Sequence, residues 1–150
     1  ESMGLRGLGD TRILATDIDA NMLNHCRSGS YAESQLAGLS VQQKANFLRD
    51  DPSHPGHMMF KNELRALIRF NKLNLLDQWP MKGQFDAIFC RNVVIYFDQE
   101  TQRSIFTRMA ELLAPGGRLF IGHAENMRSA PDLFEPCGRT VYRLKPEGSS

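Results

Sequence analysis

Phe85-Asp86-Ala87-Ile88-Phe89-Cys90-Arg91-Asn92-Val93-Val94-Ile95-Tyr96-Phe97 is the stretch on which the fold turns. Its first half carries an uninterrupted apolar run, Ala87 to Cys90, with a β-branched and an aromatic residue. Such a run suits a central strand of a parallel sheet, buried on both faces. Polarity then arrives abruptly as Arg91 and Asn92. In open parallel sheets ligands lie beyond the carboxyl ends of the strands, so these two residues stand where a ligand is expected. A second apolar group, Val93 to Phe97, follows and carries Tyr96.

The chain has 150 residues, the length of one domain, with 41% hydrophobic and 23% charged residues; both are ordinary for a globular protein. A formal net charge of +1 gives no global drive toward nucleic acid or a membrane surface. No apolar run approaches the roughly 20 residues of a membrane span. Glu1-Ser2-Met3 is followed by glycines rather than by a signal-peptide core. Cys26, Cys90 and Cys137 are odd in number and widely spaced, which fits reduced thiols in a cytoplasm.

The other elements follow in order. Gly4, Gly7 and Gly9 precede a strand instead of following one, so they read as a connecting loop rather than a phosphate-binding loop. Arg12–Thr16 reads as a short buried strand ending in Asp17-Ile18-Asp19. An acidic residue at such a strand tip commonly takes ribose hydroxyls; the competing reading is helix capping. Asp17 is assigned to the ribose and Asp19 to the cap of a helix over 20–27, stopped at Ser28-Gly29. Ser40 with Gln43 signals a second helix start. Residues 50–57 read as a solvated loop carrying His54 and His57, and 58–61 as a short strand with which 63–67 pairs. This insertion is longer than a plain crossover and reads as a small antiparallel appendage. Residues 67–71 read as a further main-sheet strand, with Asn74 and Leu75 beyond its carboxyl side. Asp98 caps a long amphipathic helix that stops at 114–117, 118–122 form another buried strand, and Phe134 with 140–144 suggest a final strand pair. The tail 146–150 reads as disordered.

Polar residues thus fall at four strand ends: Asp17, Asn74, Arg91-Asn92 and His123-Glu125-Asn126. Parallel strands would set them along one sheet edge, as a nucleotide-like ligand requires. The four histidines make no closed metal-ligand set. Cys90 reads as core, and Tyr96 as either core or a functional hydroxyl.

With these residues in view, Ala15–Asp19, Asn74-Leu75-Leu76, Phe85–Val93, Ile95-Tyr96-Phe97, Gly122–Asn126 and Thr140-Val141-Tyr142 resemble the chemotaxis receptor methyltransferases of the CheR type. The resemblance runs from about residue 12 to residue 144, and its most specific part is the Phe-Cys-Arg-Asn-Val segment. It implies a doubly wound, Rossmann-like α/β methyltransferase sheet with an inserted antiparallel β-subdomain at about 33–66. It implies transfer of a methyl group from S-adenosylmethionine to glutamate side chains of the cytoplasmic domains of chemoreceptors, leaving S-adenosylhomocysteine. It places Asp17 on the ribose, Asn74 and Leu75 by the adenine, Arg91 and Asn92 near the cofactor, and Tyr96 close to the methyl donor. In some members the subdomain docks a receptor C-terminal peptide by strand addition.

Against that pattern, a first strand, a glycine-rich loop and a helical N-terminal domain are expected to be absent, and Ala124 stands where Ser is common. The chain is accordingly expected to be the carboxyl-terminal part of the enzyme, inactive alone, with unpaired sheet edges that a strand from another copy could fill. A non-catalytic receptor- or partner-binding module, or a methyltransferase for another substrate, are the competing readings.

Overall fold

Asp19 decides where the first helix begins. In the computed structural model, which describes residues 10–146, β1 (Ile13–Asp17) leads through a two-residue turn into α1 (Ala20–Ser28). The Asp19 carboxylate accepts from Asn21 N at 2.8 Å, a cap that contributes about 1 kcal/mol. Gly29 ends the helix with φ 65°, and its N–H donates to Cys26 O. A Cβ here would lie 2.9 Å from Arg65 Nε, so both backbone and space favour glycine. The residues read from the glycines at 4, 7 and 9, and the tail 147–150, lie outside the described residues.

The chain forms two compact units, residues 1–74 and 75–150. In the first, β1 pairs in parallel with β5 (Ile68–Lys72), from Ile13 opposite Ile68 to Asp17 opposite Lys72. Arg27 on α1 donates to Phe70 O at 2.8 Å and so fastens the helix to this pair. Between the paired strands lies an antiparallel sheet of β2 (Ser30–Ala32), β4 (His57–Phe60) and β3 (Leu48–Asp50), with β4 in the middle. α2 (Val41–Phe47) has the expected reciprocal cap: Gln43 N donates to Ser40 Oγ, and Ser40 N donates to Gln43 Oε1 at 2.8 Å.

The expected strand over 63–67 is instead a single helical turn, α3 (Asn62–Arg65). Both flanks of β4 are taken, with Met59 opposite Ser30 on one side and Arg49 on the other. No edge of β4 remains for a further strand, and Leu64 N and Arg65 N donate to Lys61 O.

Residues 52–56 of the histidine loop are exposed as expected, whereas the acid just before them is not. Asp51 is 5% exposed. Its carboxylate accepts from Ser30 Oγ, from Ser53 N at 2.9 Å and from His54 Nδ1 at 2.9 Å. This ties β2 to the loop after β3. His57 is half-buried within β4.

In the second unit the sheet runs β6 (Phe85–Cys90), β7 (Leu113–Ile121), β9 (Val141–Leu144), β8 (Phe134–Pro136). β6 and β7 are parallel; the β7–β9 and β9–β8 pairs are antiparallel. α4 (Gln99–Leu112) starts at Asp98, whose carboxylate accepts from Thr101 N at 2.8 Å. Its buried face, Ile105, Phe106 and Met109, packs into one core with Leu113, Leu119, Ile121, Cys90 and Phe134. Full burial of each such side chain stabilises by about 1.5–3 kcal/mol. β7 begins at Leu113, five residues before the expected strand start, and its pairing with β6 shifts register between Phe85 and Ala87.

β6 departs from the reading of a central strand buried on both faces. It is the terminal strand of its sheet, and Phe89 is 70% exposed. Ile88 and Cys90 face the core while Ala87 and Phe89 are exposed. Phe89 stacks on Phe120 of β7, with ring centroids 4.3 Å apart. Strand alternation sends only every second side chain toward the core that α4 covers.

The three donors on Asp51, Ser30 first, hold its carboxyl at about 2, below the ordinary 3.8. A lowered carboxylate stabilises the fold above the unfolded value and loses that contribution as pH falls through the folded one. Asp51→Asn is therefore expected to unfold at lower temperature than wild type at pH 5–7. The gap should close as pH drops from about 4 to about 2. Thermal denaturation followed by circular dichroism across this range checks it; a gap independent of pH would remove the carboxylate's role.

Candidate functional site

In each unit two neighbouring parallel strands place polar residues side by side at their carboxyl ends. In the first unit these are Asp17 after β1 and Asn74 after β5. Asp17 O accepts from Leu73 N at 3.0 Å, which sets the chain entering Asn74 beside the end of β1. Asp17 Oδ1 accepts from Asp19 N at 2.8 Å. This turn fixes the carboxylate's direction and leaves Oδ2 without a hydrogen bond among the described residues. Asp17 is half-exposed, so a hydroxyl can reach it. The division of labour is therefore physical: Asp19 caps α1 while Asp17 remains available.

In the second unit the paired ends are those of β6 and β7. Arg91 and Asn92 follow β6, and both are exposed. Arg91 Nη2 lies 3.5 Å from His123 Nδ1, just beyond β7. Asn92 has φ 60°, a left-handed conformation that asparagine tolerates better than most residues. The chain then makes a 3₁₀ turn, Val94–Tyr96, in which Val94 is buried and Ile95 and Tyr96 face outward. Tyr96 is 80% exposed. Tyr96 is thus outside the core of this unit. Leu75 packs against the core of this unit, and its carbonyl accepts from Trp79 Nε1 at 3.1 Å.

The sequence reading sets Glu125 with His123 and Asn126 at a strand end facing a ligand, but its carboxylate turns inward and both oxygens are taken by the backbone. Glu125 is 8% exposed, and its carboxylate accepts from the backbone N–H groups of Asn92, Val93, Val94 and Gly122. The available signal was an acidic residue just after a buried strand and its glycine, which marks a carboxylate held by backbone donors as readily as one facing a ligand. Among the described residues no group of three or more His, Cys, Asp or Glu side chains is placed to hold a metal ion. No described helix is long and apolar enough to cross a membrane.

Residues 3–143 match the CheR methyltransferase, SAM binding domain. The chain belongs to the CheR methyltransferase family. It is 44% identical over 142 residues to the probable chemotaxis protein methyltransferase of Rhizobium etli, covering 93% of this chain and 53% of that protein. It is 42% identical to the chemotaxis protein methyltransferase of Klebsiella aerogenes, covering 98% of this chain and 51% of the relative. The Escherichia coli chemotaxis protein methyltransferase is 43% identical over 93% of this chain and 49% of its own length. The chain spans about half the length of these curated relatives. As a CheR SAM-binding domain it has S-adenosylmethionine as its cofactor, and its α/β architecture with parallel strand pairs accords with that class.

Cys90, at the end of β6, sits under the same corner. Burial, with the Glu125 charge adding, pushes its thiol up to about 12. Only the thiolate is nucleophilic, which rules Cys90 out as a reactive group at neutral pH. Cys137 is exposed. Iodoacetamide at pH 8 is expected to alkylate Cys137 on the order of a thousandfold faster than Cys90 in the folded chain. Peptide mass spectrometry reads the two sites, and comparable rates would contradict the buried, anion-flanked setting.

Proposed function

We propose that the native protein carrying this chain methylates glutamate side chains on the cytoplasmic domains of chemoreceptors, as a protein-glutamate O-methyltransferase. The observation that carries the reading is the placement of Asp17 and Asn74 at the carboxyl ends of the adjacent parallel strands β1 and β5, in a chain of this family. When bound, S-adenosylmethionine would supply a sulfonium-activated methyl group to an ionised glutamate oxygen, the C–O bond forming as the C–S bond breaks onto sulfur.

The residues present suit that ligand. The free Oδ2 of Asp17 can accept from a ribose hydroxyl. Asn74 and Leu75 are assigned to the adenine, Asn74 to its edge and Leu75 through backbone groups. Arg91 presents an exposed guanidinium to an anionic group, and Asn92 an exposed amide. Arg91 has a double task in this reading: it attracts the carboxylate yet must not pair so tightly that the nucleophile is blunted. An ionised carboxylate needs no general base. The chain's work is alignment and the removal of water, which Tyr96 and Ile95, exposed side by side, are suited to assist. Receptor docking fits the small sheet of the first unit: β2 and β3 are its terminal strands and offer edges for an added strand.

Asp17→Ala in the native protein is expected to weaken S-adenosylhomocysteine binding about tenfold, as loss of a hydrogen bond to a charged group does. Asp19→Ala should instead leave affinity alone and cost about 1 kcal/mol of stability. Calorimetry and thermal unfolding read both, and equal affinity of Asp17→Ala and wild type would return Asp17 to the turn. Tyr96→Phe is expected to lower turnover of receptor methylation about tenfold at an unchanged unfolding midpoint, since the hydroxyl is exposed. A methyl-transfer assay on receptor membranes measures this. No transfer by the native protein would favour a receptor-binding module; transfer only to another acceptor would favour a different substrate.

A further inference from the structure

The Glu125 carboxylate is buried without a cation: among the described residues no lysine, arginine or histidine forms an ion pair with it. Its compensation is entirely backbone. Oε1 accepts from Val93 N at 2.8 Å and Val94 N at 2.9 Å, and Oε2 from Asn92 N at 3.0 Å and from Gly122 N. Three of these donors are consecutive, so the carboxylate is clasped by the chain as it turns out of β6. Convergent backbone N–H groups of this kind form an anion nest, and hydrogen bonds to an ionised acceptor are roughly twice as strong as neutral ones.

The segment so held contributes little to the core. Of Arg91, Asn92, Val93, Val94, Ile95 and Tyr96, only Val94 is buried. Asn92 is moreover in the left-handed region. A packing role would not call for a buried charge and four donors to fix five outward-facing side chains. Gly122 adds an independent sign that the two strand ends are drawn unusually close. A Cβ there would lie 2.7 Å from Glu125 Oε2 and 3.0 Å from Asn92 N, and would also meet Asn92 Oδ1. Only glycine allows the contact.

We propose that Glu125 is the positioning residue of the Arg91–Tyr96 corner: it touches no ligand, and by holding three consecutive backbone amides it aims Arg91, Asn92 and Tyr96 for cofactor binding. The inference rests on the cofactor reading given above. Glu125→Gln sets an NH₂ group against two of the four N–H donors, so the corner must open on one side. Gly122→Ala forces the same opening without touching the charge.

The test uses the native protein with S-adenosylhomocysteine as probe. Glu125→Gln is expected to raise its dissociation constant about tenfold, measured by calorimetry well below the unfolding temperature, and Gly122→Ala to act in the same direction. Hydrogen exchange at the amides of 92–94 should accelerate in both variants. KM for the methyl donor should rise in Glu125→Gln and Gly122→Ala but hold in Met109→Ala, a split that general destabilisation does not produce. Met109→Ala, in the core, is the control: it should lower the unfolding midpoint and leave affinity unchanged. Unchanged affinity in Glu125→Gln, or equal loss in Met109→Ala, overturns the positioning role. Should neither corner variant fold, exchange in the unmutated protein decides: amides 92–94 exchanging as fast as the Gly56 amide of the exposed 52–56 turn would overturn it. Wild type that fails to bind S-adenosylhomocysteine overturns the cofactor reading and this inference together, whereas wild-type binding with an unaffected Glu125→Gln overturns the positioning role alone.

Discussion

A carboxylate taken out of water must find donors or shed its charge. Glu125 meets that requirement with four backbone N–H groups, and in doing so it dictates how the chain leaves β6. The left-handed Asn92, the buried Val94 and the outward Tyr96 are consequences of one geometry. So is the glycine at 122, since no side chain fits where β7's end meets the clasped amides. Burial, with that charge adding to it, raises the Cys90 thiol. Charge burial, strand termination and the presentation of polar groups are thus a single device in the second unit.

The first unit reaches a similar result by lighter means. Its strand ends are joined by the Leu73 N to Asp17 O bond, and the Asp17 carboxylate is directed by Asp19 N. Here the side chain that is aimed is itself the candidate ligand group, so it is only half-engaged. The contrast follows from burial: a half-exposed carboxylate keeps one oxygen for a ligand, whereas a buried one uses both. Parallel pairing underlies both cases, because parallel strands deliver their carboxyl ends to the same edge.

Where the sequence misled, competition for partners was the cause. Residues 63–67 have enough apolar character for a strand, but β4 already had neighbours on both sides. The Ala87–Cys90 run looks doubly buried because all four residues are apolar; in the second unit it alternates, and Phe89 compensates by stacking on Phe120. The histidine loop is exposed over 52–56 as its Pro, Gly and Ser content suggests, but Asp51 at its start is buried because Ser30, Ser53 and His54 supply donors. None of these outcomes is encoded wholly within a few residues of the site concerned.

The local punctuation of the chain was set by its own residues. Asp19, Ser40 and Asp98 cap helices because each has an acceptor on a short side chain, one or two bonds from Cβ, able to reach the free amides of the first turn. Gly29 stops α1 because it alone adopts φ 65° without strain. The Phe-Cys-Arg-Asn-Val segment likewise identified the family. Which strand became an edge, which carboxylate was buried and which aromatic faced outward were decided by tertiary structure. Those outcomes depend on what packs from elsewhere in the chain: a side chain's fate as ligand group, clasp or core is fixed by its donors and neighbours, and Glu125 acquires its donors only when β6 and β7 lie side by side.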